Sequence, residues 1–176
     1  MKTNKPRRLR QLLKSRKSLL MPVAHDALTA KIIEEAGFEA FSIGGFGVAA
    51  SQFGLPDIGI LTQGDFQPSI KNILAASRLP ALVDGDTGYG NGESVKRLVR
   101  EYEALGAAAI FIEDQVWPKR CGHTGVKEVV AAEEMAEKIK AAVKAKANPD
   151  FLIMARTDAR SALGSIEVAI DRARTY

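Results

Sequence analysis

Leu82-Val83-Asp84-Gly85-Asp86-Thr87-Gly88-Tyr89-Gly90-Asn91-Gly92 changes character within three residues. An apolar run over 81–83 stops at two carboxylates that a single glycine separates. On an extended strand, side chains two apart share a face, so Asp84 and Asp86 are expected to bring both charges to one small volume. Carboxylates that close repel, and one is driven towards protonation unless a cation lies between them. Mg²⁺ is commonly bound by one or two carboxylates while keeping several waters, which makes the pair a candidate metal perch. The plain alternative is a turn, because Asp and Gly are ordinary loop residues and four glycines fall between 85 and 92.

Outward from this stretch, the same pattern of apolar run and polar ending recurs. Strands are expected at 19–24, 38–43, 79–83, 107–112 and 151–155. Between them lie helical periodicities. The first covers 27–36, with Asp26 as N-cap and Gly37 as stop. A second, capped by Thr62 or Asp65, carries Phe66, Ile70, Ile73 and Leu74 on one stripe; Pro68 requires it to begin near Asp65. A third spans 95–105 up to Gly106, a fourth 133–146, and one more begins at Ile166. Strict alternation of strand and helix argues for a parallel sheet with crossover helices. The strands are continuous apolar runs, as expected when both faces are covered.

The fold class is therefore α/β. Units of about thirty residues fit a TIM-type (β/α)8 barrel, which typically needs about 250 residues. Only five strands are visible, so the chain reads as a barrel truncated after the fifth strand and the start of the following helix. An open doubly wound sheet is the other candidate, but no Gly-x-Gly-x-x-Gly opens the first helix.

Composition bounds the function. With 176 residues, 46% hydrophobic and 26% charged, the chain is an ordinary globular one. Its net charge of +4 is unevenly placed. Residues 1–17 hold eight Lys or Arg and no acid, leaving 17 basic against 21 acidic residues beyond them. Leu9, Leu12 and Leu13 have helical spacing, so 1–17 is expected to be a basic amino-terminal helix and 18–176 a partial barrel domain. No aromatic or glycine-rich recognition motif accompanies the basic arm, so nucleic acid is not expected as a partner. No run has the length of a membrane span, and no apolar region follows the basic start as in a secretory signal. A lone cysteine, Cys121, fits the reducing cytoplasm.

Active sites of parallel α/β folds lie at the carboxyl ends of strands. Here those ends carry His25 and Asp26, the cluster Gly44-Gly45-Phe46-Gly47, Asp84 and Asp86, Glu113 and Asp114, and Arg156 and Asp158. Asp84, Asp86 and Glu113 suit a divalent cation, held directly or through water. Arg156 suits a bidentate clamp on a carboxylate. The loop Trp117-Pro118-Lys119-Arg120-Cys121-Gly122-His123 adds a thiol among cationic neighbours, where a proton is readily gained or lost. Gly122 and Gly125 would let that loop move as a lid.

Lys119-Arg120-Cys121-Gly122-His123, Asp84-Gly85-Asp86-Thr87-Gly88-Tyr89-Gly90 and Ile112-Glu113-Asp114-Gln115 resemble the isocitrate lyase and phosphoenolpyruvate mutase superfamily, closest to its short-chain lyases. Gly54-Leu55-Pro56-Asp57 and Met154-Ala155-Arg156-Thr157-Asp158 are similar too, in the same order. The resemblance implies a barrel enzyme that cleaves a C–C bond of a 2-hydroxy di- or tricarboxylate with Mg²⁺, or Mn²⁺ in its place. It implies Asp84 and Asp86 as metal carboxylates, with Glu113 and Asp57 supporting metal-bound water. Cys121 becomes the acid that protonates the departing fragment, with Lys119 and His123 lining the moving loop. Gly44, Gly45, Phe46, Gly122 and Arg156 become substrate contacts. A full-length form is expected to be a homo-oligomer acting on a small carboxylate.

Two departures shape the expectations. Where the family carries Ser-Gly-Gly, this chain has Gly44-Gly45-Phe46, which implies backbone rather than hydroxyl contacts and a site reshaped for an acid other than methylisocitrate. The last three strands of the barrel are missing, so 1–176 alone is expected to show weak or no lyase activity. The alternatives are a C–C hydrolase or phosphonomutase of the same superfamily, or an inactive fragment serving as an interaction module. The Cys-Gly-His loop argues against the mutase, whose branch typically lacks that cysteine.

Overall fold

Every strand of this chain is short and every strand pairing is parallel, with a helix in each crossover. The computed structural model describes residues 4–121 and 127–176. Its strands are β1 (Val23–Ala24), β2 (Phe41–Ile43), β3 (Ala81–Asp84), β4 (Ala109–Glu113) and β5 (Leu152–Arg156). They pair in sequence order, β1-β2-β3-β4-β5. Nearest-neighbour order is the arrangement of a barrel, not of a doubly wound sheet, whose order reverses at a switch point. The helices are α1 (Lys5–Ser15), α2 (Ala27–Glu35), α3 (Gly45–Val48), α4 (Gln63–Ala76), α5 (Gly92–Ala104), α6 (Ala132–Ala145), α7 (Ala159–Leu163) and α8 (Ile166–Thr175).

The register assigns each strand residue to a face. Ala24, Ile43, Val83, Ile110 and Ile153 stand in one row. This face lies under the helices, and the first four of these residues are fully buried there with Ile70, Ile73, Val95, Leu98, Tyr102 and Met135. The opposite row is Val23, Ser42, Leu82, Ala109 and Leu152. Helix α1 covers only its amino-terminal end: Leu9 is buried against Ala40, Ala108 and Ala109, with Leu12, Leu82 and Leu152 packed around them. Val23 and Met154 on that side remain exposed. Coverage of both strand faces, expected from the continuous apolar runs, thus holds fully for one face and partly for the other.

The basic start is absorbed into this arrangement. Lys5 donates to the carbonyls of Ser77 (2.8 Å) and Leu74 (3.3 Å) at the end of α4, where unpaired carbonyls attract a cation. Arg10 donates to the carbonyl of Asp150 at 2.8 Å. Among the described residues, no helix is long and apolar enough to cross a membrane.

Several boundaries differ from expectation. The first strand is two residues long instead of six, because Pro22 supplies only a carbonyl, which accepts the Ser42 N–H at 2.9 Å, and the chain before it leaves the sheet. Helix α4 begins at Gln63, not near Asp65, and Pro68 lies inside it. A capping box fixes that start: Thr62 N–H donates to Asp65 Oδ2 at 2.7 Å, and Asp65 N–H to Thr62 Oγ1 at 3.4 Å. Helix α3, the π-helical turn Ala49–Phe53 after it, and α7 lack the long amphipathic period by which helices are read in a sequence.

Candidate active site

Asp84 ends β3 and Asp86 follows one residue beyond it. Their carboxylates converge, but not by strand alternation. Asp86 has φ +48°, so the chain has already turned left-handed, and its N–H donates to Asp84 Oδ1 at 2.9 Å. Gly85 permits the turn by bringing its backbone against β4, with its N–H 2.9 Å from the carbonyl of Phe111. The Glu113 N–H then donates to the carbonyl of Asp86 at 2.8 Å, carrying the pairing past the strand end. On the other side, Gly45 at the start of α3 donates its N–H to Asp84 Oδ2 at 3.0 Å. A methyl group at Gly45 would stand 3.3 Å from that oxygen and 3.7 Å from Asp86 Oδ1. One point therefore sees an oxygen of each carboxylate, and the absent side chain leaves the space.

Asp86 Oδ2 accepts the Tyr89 hydroxyl at 2.5 Å. Asp86 Oδ1 is buried and accepts no well-aligned hydrogen bond. The Lys119 ammonium nevertheless lies 2.7 Å from it, and 2.5 Å from Asp57 Oδ1; at that range the attraction is electrostatic whatever the angle. Lys119 is 4% exposed. Burial alone would lower its pKa, but Asp86, Asp84 and Asp57 outweigh that and raise it above the usual lysine value.

Glu113 is paired in register with Arg156 across β4 and β5. Arg156 Nη1 lies 3.3 Å from Glu113 Oε2, and Nη2 lies 3.1 Å from Asp158 Oδ1. The buried Gln115 amide gathers this corner, donating to Glu113 Oε1 at 2.8 Å and to Asp158 Oδ2 at 3.0 Å. Gln115 Oε1 accepts the Arg120 N–H at 3.0 Å, which ties the loop to the same corner. Burial pushes the Glu113 carboxyl up to about 8, against the lowering pull of Arg156. Asp84 is pushed up to about 6, by desolvation first and the charge of Asp86 second. Some of Asp84 remains solvent-accessible, so this desolvation concerns the carboxyl end that the protein surrounds.

The structure thus brings together Asp57, Asp84, Asp86 and Lys119 on one side, and Glu113 and Arg156 on the other. Cys121 is buried and unpaired with any other cysteine. Gly44 is the residue before α3, and Phe46 projects from α3 with 56% exposure. Gly122 and His123 lie outside the described residues. Tyr89 and Gln115 were not singled out as site residues in the sequence. The only signal was their position inside the two acidic motifs, and nothing in residue type distinguishes a Tyr that orients a carboxylate from one that fills a core.

The donor set fits a hard divalent cation. Two converging carboxylates, Asp84 and Asp86, with no Cβ at Gly45 to fill the space before them, are the oxygen ligands Mg²⁺ takes. Two cavities of about 10 Å³ flank the pair, one bordered by Asp57, Asp86 and Lys119, the other by Gly44, Gly45, Asp84 and Tyr89. Each has room for roughly one water or ion. Among the described residues, no group of three or more His, Cys, Asp or Glu side chains is arranged to hold a metal ion.

The comparisons agree with this geometry. The family model described as phosphoenolpyruvate phosphomutase matches residues 9–176. The chain is 48% identical over 173 residues to 2,3-dimethylmalate lyase of Eubacterium barkeri, covering 98% of this chain and 60% of that protein. It is 44% identical over 169 residues to 2-methylisocitrate lyase of Shewanella oneidensis, covering 96% and 58%. The structure superposes on phosphonopyruvate hydrolase in complex with oxalate and Mg²⁺ with a TM-score of 0.89 and 35% identity, covering 98% and 59%. The chain spans about three fifths of the length of these relatives, and within that span supplies five consecutive strand–helix units of their TIM barrel. A match over nearly the whole chain, the barrel-type strand order and the acidic strand ends together show that this chain belongs to the phosphoenolpyruvate mutase/isocitrate lyase superfamily.

Proposed function

We propose that this chain forms the greater part of the active site of a Mg²⁺-dependent carbon–carbon lyase acting on a small 2-hydroxy dicarboxylate. The observation that carries the reading is the convergence of Asp84 and Asp86 in front of Gly45, with Arg156 at a neighbouring strand end. Asp84 and Asp86 would hold the cation, and Asp57 and Glu113 would orient its waters. When bound, Mg²⁺ supplies a Lewis acid for negative charge developing on the substrate. Phe46 puts a bulky ring where the resembling family carries glycine, which favours a compact dicarboxylate, such as the dimethylmalate of the Eubacterium relative's name, over a tricarboxylate.

The chain's own residues account for the remaining steps. Arg156 keeps guanidinium edges beyond its two ion pairs and binds a substrate carboxylate. Burial raises the Glu113 carboxyl towards its neutral form, against the pull of Arg156, which lessens its repulsion of an anionic substrate. The substrate hydroxyl gives its proton to water, which later returns one to the Cys121 thiolate; the C2–C3 bond breaks, and the electron pair leaves with the C3 fragment. The Cys121 thiol protonates that carbon, and a 2-oxo acid and a carboxylate are released. Lys119 lies two residues before Cys121 in sequence and ties this loop to the acidic cluster through Asp57 and Asp86. The enzyme is read as cytoplasmic, and in full-length form as a homo-oligomer.

Isothermal titration tests the reading. Oxalate, which resembles the 2-oxo acid carboxylate, should bind only with Mg²⁺ present, and Asp84→Ala should abolish both heats. Binding of oxalate without Mg²⁺, or undiminished in Asp84→Ala, would overturn it.

A further inference from the structure

The loop residue Lys119 and a divalent cation have claims on the same oxygen. Asp86 Oδ2 is taken by the Tyr89 hydroxyl, so Oδ1 is the oxygen left to face the point shared with Asp84. That same Oδ1 lies 2.7 Å from the Lys119 ammonium. An ammonium and a divalent cation on one buried oxygen repel strongly, since the low-dielectric surroundings screen little. We propose that the Lys119 ammonium is a built-in counter-ion for Asp86, and that a divalent cation displaces it from that carboxylate, loosening the hold of the Lys119 segment on the acidic cluster. The inference rests on the cation reading of Asp84 and Asp86 given above.

The physical logic is that of buried charge. Without a cation, Asp57 and Asp86 would be buried and unpaired, at a cost of several kcal/mol. Lys119 removes that cost by pairing with both, and so holds its loop down. Once the cation neutralises Asp86, Lys119 keeps Asp57 alone and the loop is held by one ion pair instead of two. Cys121 lies two residues beyond Lys119, and the Arg120 N–H between them is fixed to Gln115. Cation entry is thereby coupled to where the thiol lies. Trp117, two residues before Lys119 and the only tryptophan, reports this movement. Its ring stands 6.1 Å from that of Tyr89, whose hydroxyl holds Asp86.

The test uses the 176-residue chain and MgCl₂ alone. Titration calorimetry should show Lys119→Met binding Mg²⁺ about fivefold or more tightly than the parent, because a competing like charge is gone. In the parent, Trp117 emission should change with the same midpoint as the heat; in Lys119→Met the change should shrink, the loop being already loosened. If the parent binds Mg²⁺ but the variant binds equally or more weakly, the displacement is wrong and the cation site stands. If neither protein, folded by circular dichroism, binds Mg²⁺, the cation site falls and the inference with it. Should Lys119→Met fail to fold, the parent decides: a binding heat with silent Trp117 emission overturns the proposal.

Discussion

Gly85 and Phe111 meet backbone to backbone. The Gly85 N–H donates to the Phe111 carbonyl at 2.9 Å, and a Cβ on Gly85 would stand 2.8 Å from that same oxygen and 2.8 Å from Ile110 Cδ1. This is closer than carbon and carbonyl oxygen tolerate, and the obstacle is backbone that has no freedom to step aside. Gly85→Ala should therefore push β3 from β4 at the point where the two acidic residues diverge from the sheet. The expected cost is about 2–4 kcal/mol in urea unfolding, with Mg²⁺ binding weakened because Asp84 and Asp86 no longer share a point. An unchanged unfolding midpoint would show that the approach is looser than described.

The metal-free protein should lose stability as the pH rises. Folding raises the Glu113 pKa from 4.5 to about 8 and that of Asp84 from 3.8 to about 6. For a carboxyl raised on folding, the native state holds the proton more tightly, so its stabilising contribution is full below the unfolded value and is lost as pH rises through the folded one. The window runs from about pH 4 to 8, with contributions on the order of 5 kcal/mol from Glu113 and 3 kcal/mol from Asp84. Urea unfolding in EDTA at pH 5, 6.5 and 8 reads it, and Glu113→Gln should flatten the upper part of the slope. A stability that climbs between pH 5 and 8 would contradict the raised values.

Asp114, fully buried, holds the two following elements to β4. Its carboxylate accepts from Thr157 Oγ1 (2.7 Å), Asp158 N–H (2.9 Å), the Tyr176 hydroxyl (2.7 Å) and Arg172 Nη1 (3.2 Å). Asp114→Asn leaves Arg172 without its counter-charge and replaces an acceptor by a donor, at an expected cost of about 2–4 kcal/mol. Tyr176→Phe removes one bond and should cost about 1 kcal/mol. Thermal unfolding that ranks the two in the opposite order would sink this account.

Cys121→Ser separates chemistry from architecture. In a chain extended to the length of its relatives, turnover should fall by a factor of about 100 or more, the range of general acid catalysis, while Mg²⁺-dependent oxalate binding is retained. Joint loss of both would mark Cys121, buried as it is, as a packing residue.

Much of this fold is legible in local sequence because parallel strands buried under helices are written as apolar runs, and α2, α5 and α6 carry full amphipathic periods, the first two with side-chain caps at Asp26 and Asn91. The acidic strand ends are legible for the same reason: a run such as 81–83 stops abruptly at charge. What the sequence hides is non-local. Asp84 and Asp86 meet through a left-handed residue packed on β4, not through the strand alternation that their spacing suggests. Lys119 reads as a loop cation, and nothing nearby in sequence signals that Asp57, 62 residues earlier, and Asp86 both close on it. Pro68 points to a later helix start than the one Thr62 imposes, because a capping box with two reciprocal hydrogen bonds outweighs one missing donor. Short helices such as α3 and α7 carry too few residues to establish any period.

Helix α1 has a consequence in time. It precedes every strand in the chain, yet its contacts are with the carbonyls of residues 74, 77 and 150 and with Ala108 and Ala109. Those partners do not exist until most of the chain has been synthesised. A helix made before its partners is thus among the last to find its place, and during that interval its five basic side chains and its leucine stripe are presented to whatever else the cell contains. Closing a loop of 140 residues is slow relative to the local pairing of β2 with β3. The amino-terminal helix is therefore the clasp of this architecture rather than its nucleus, and its docking marks the moment at which the first five units become a single body.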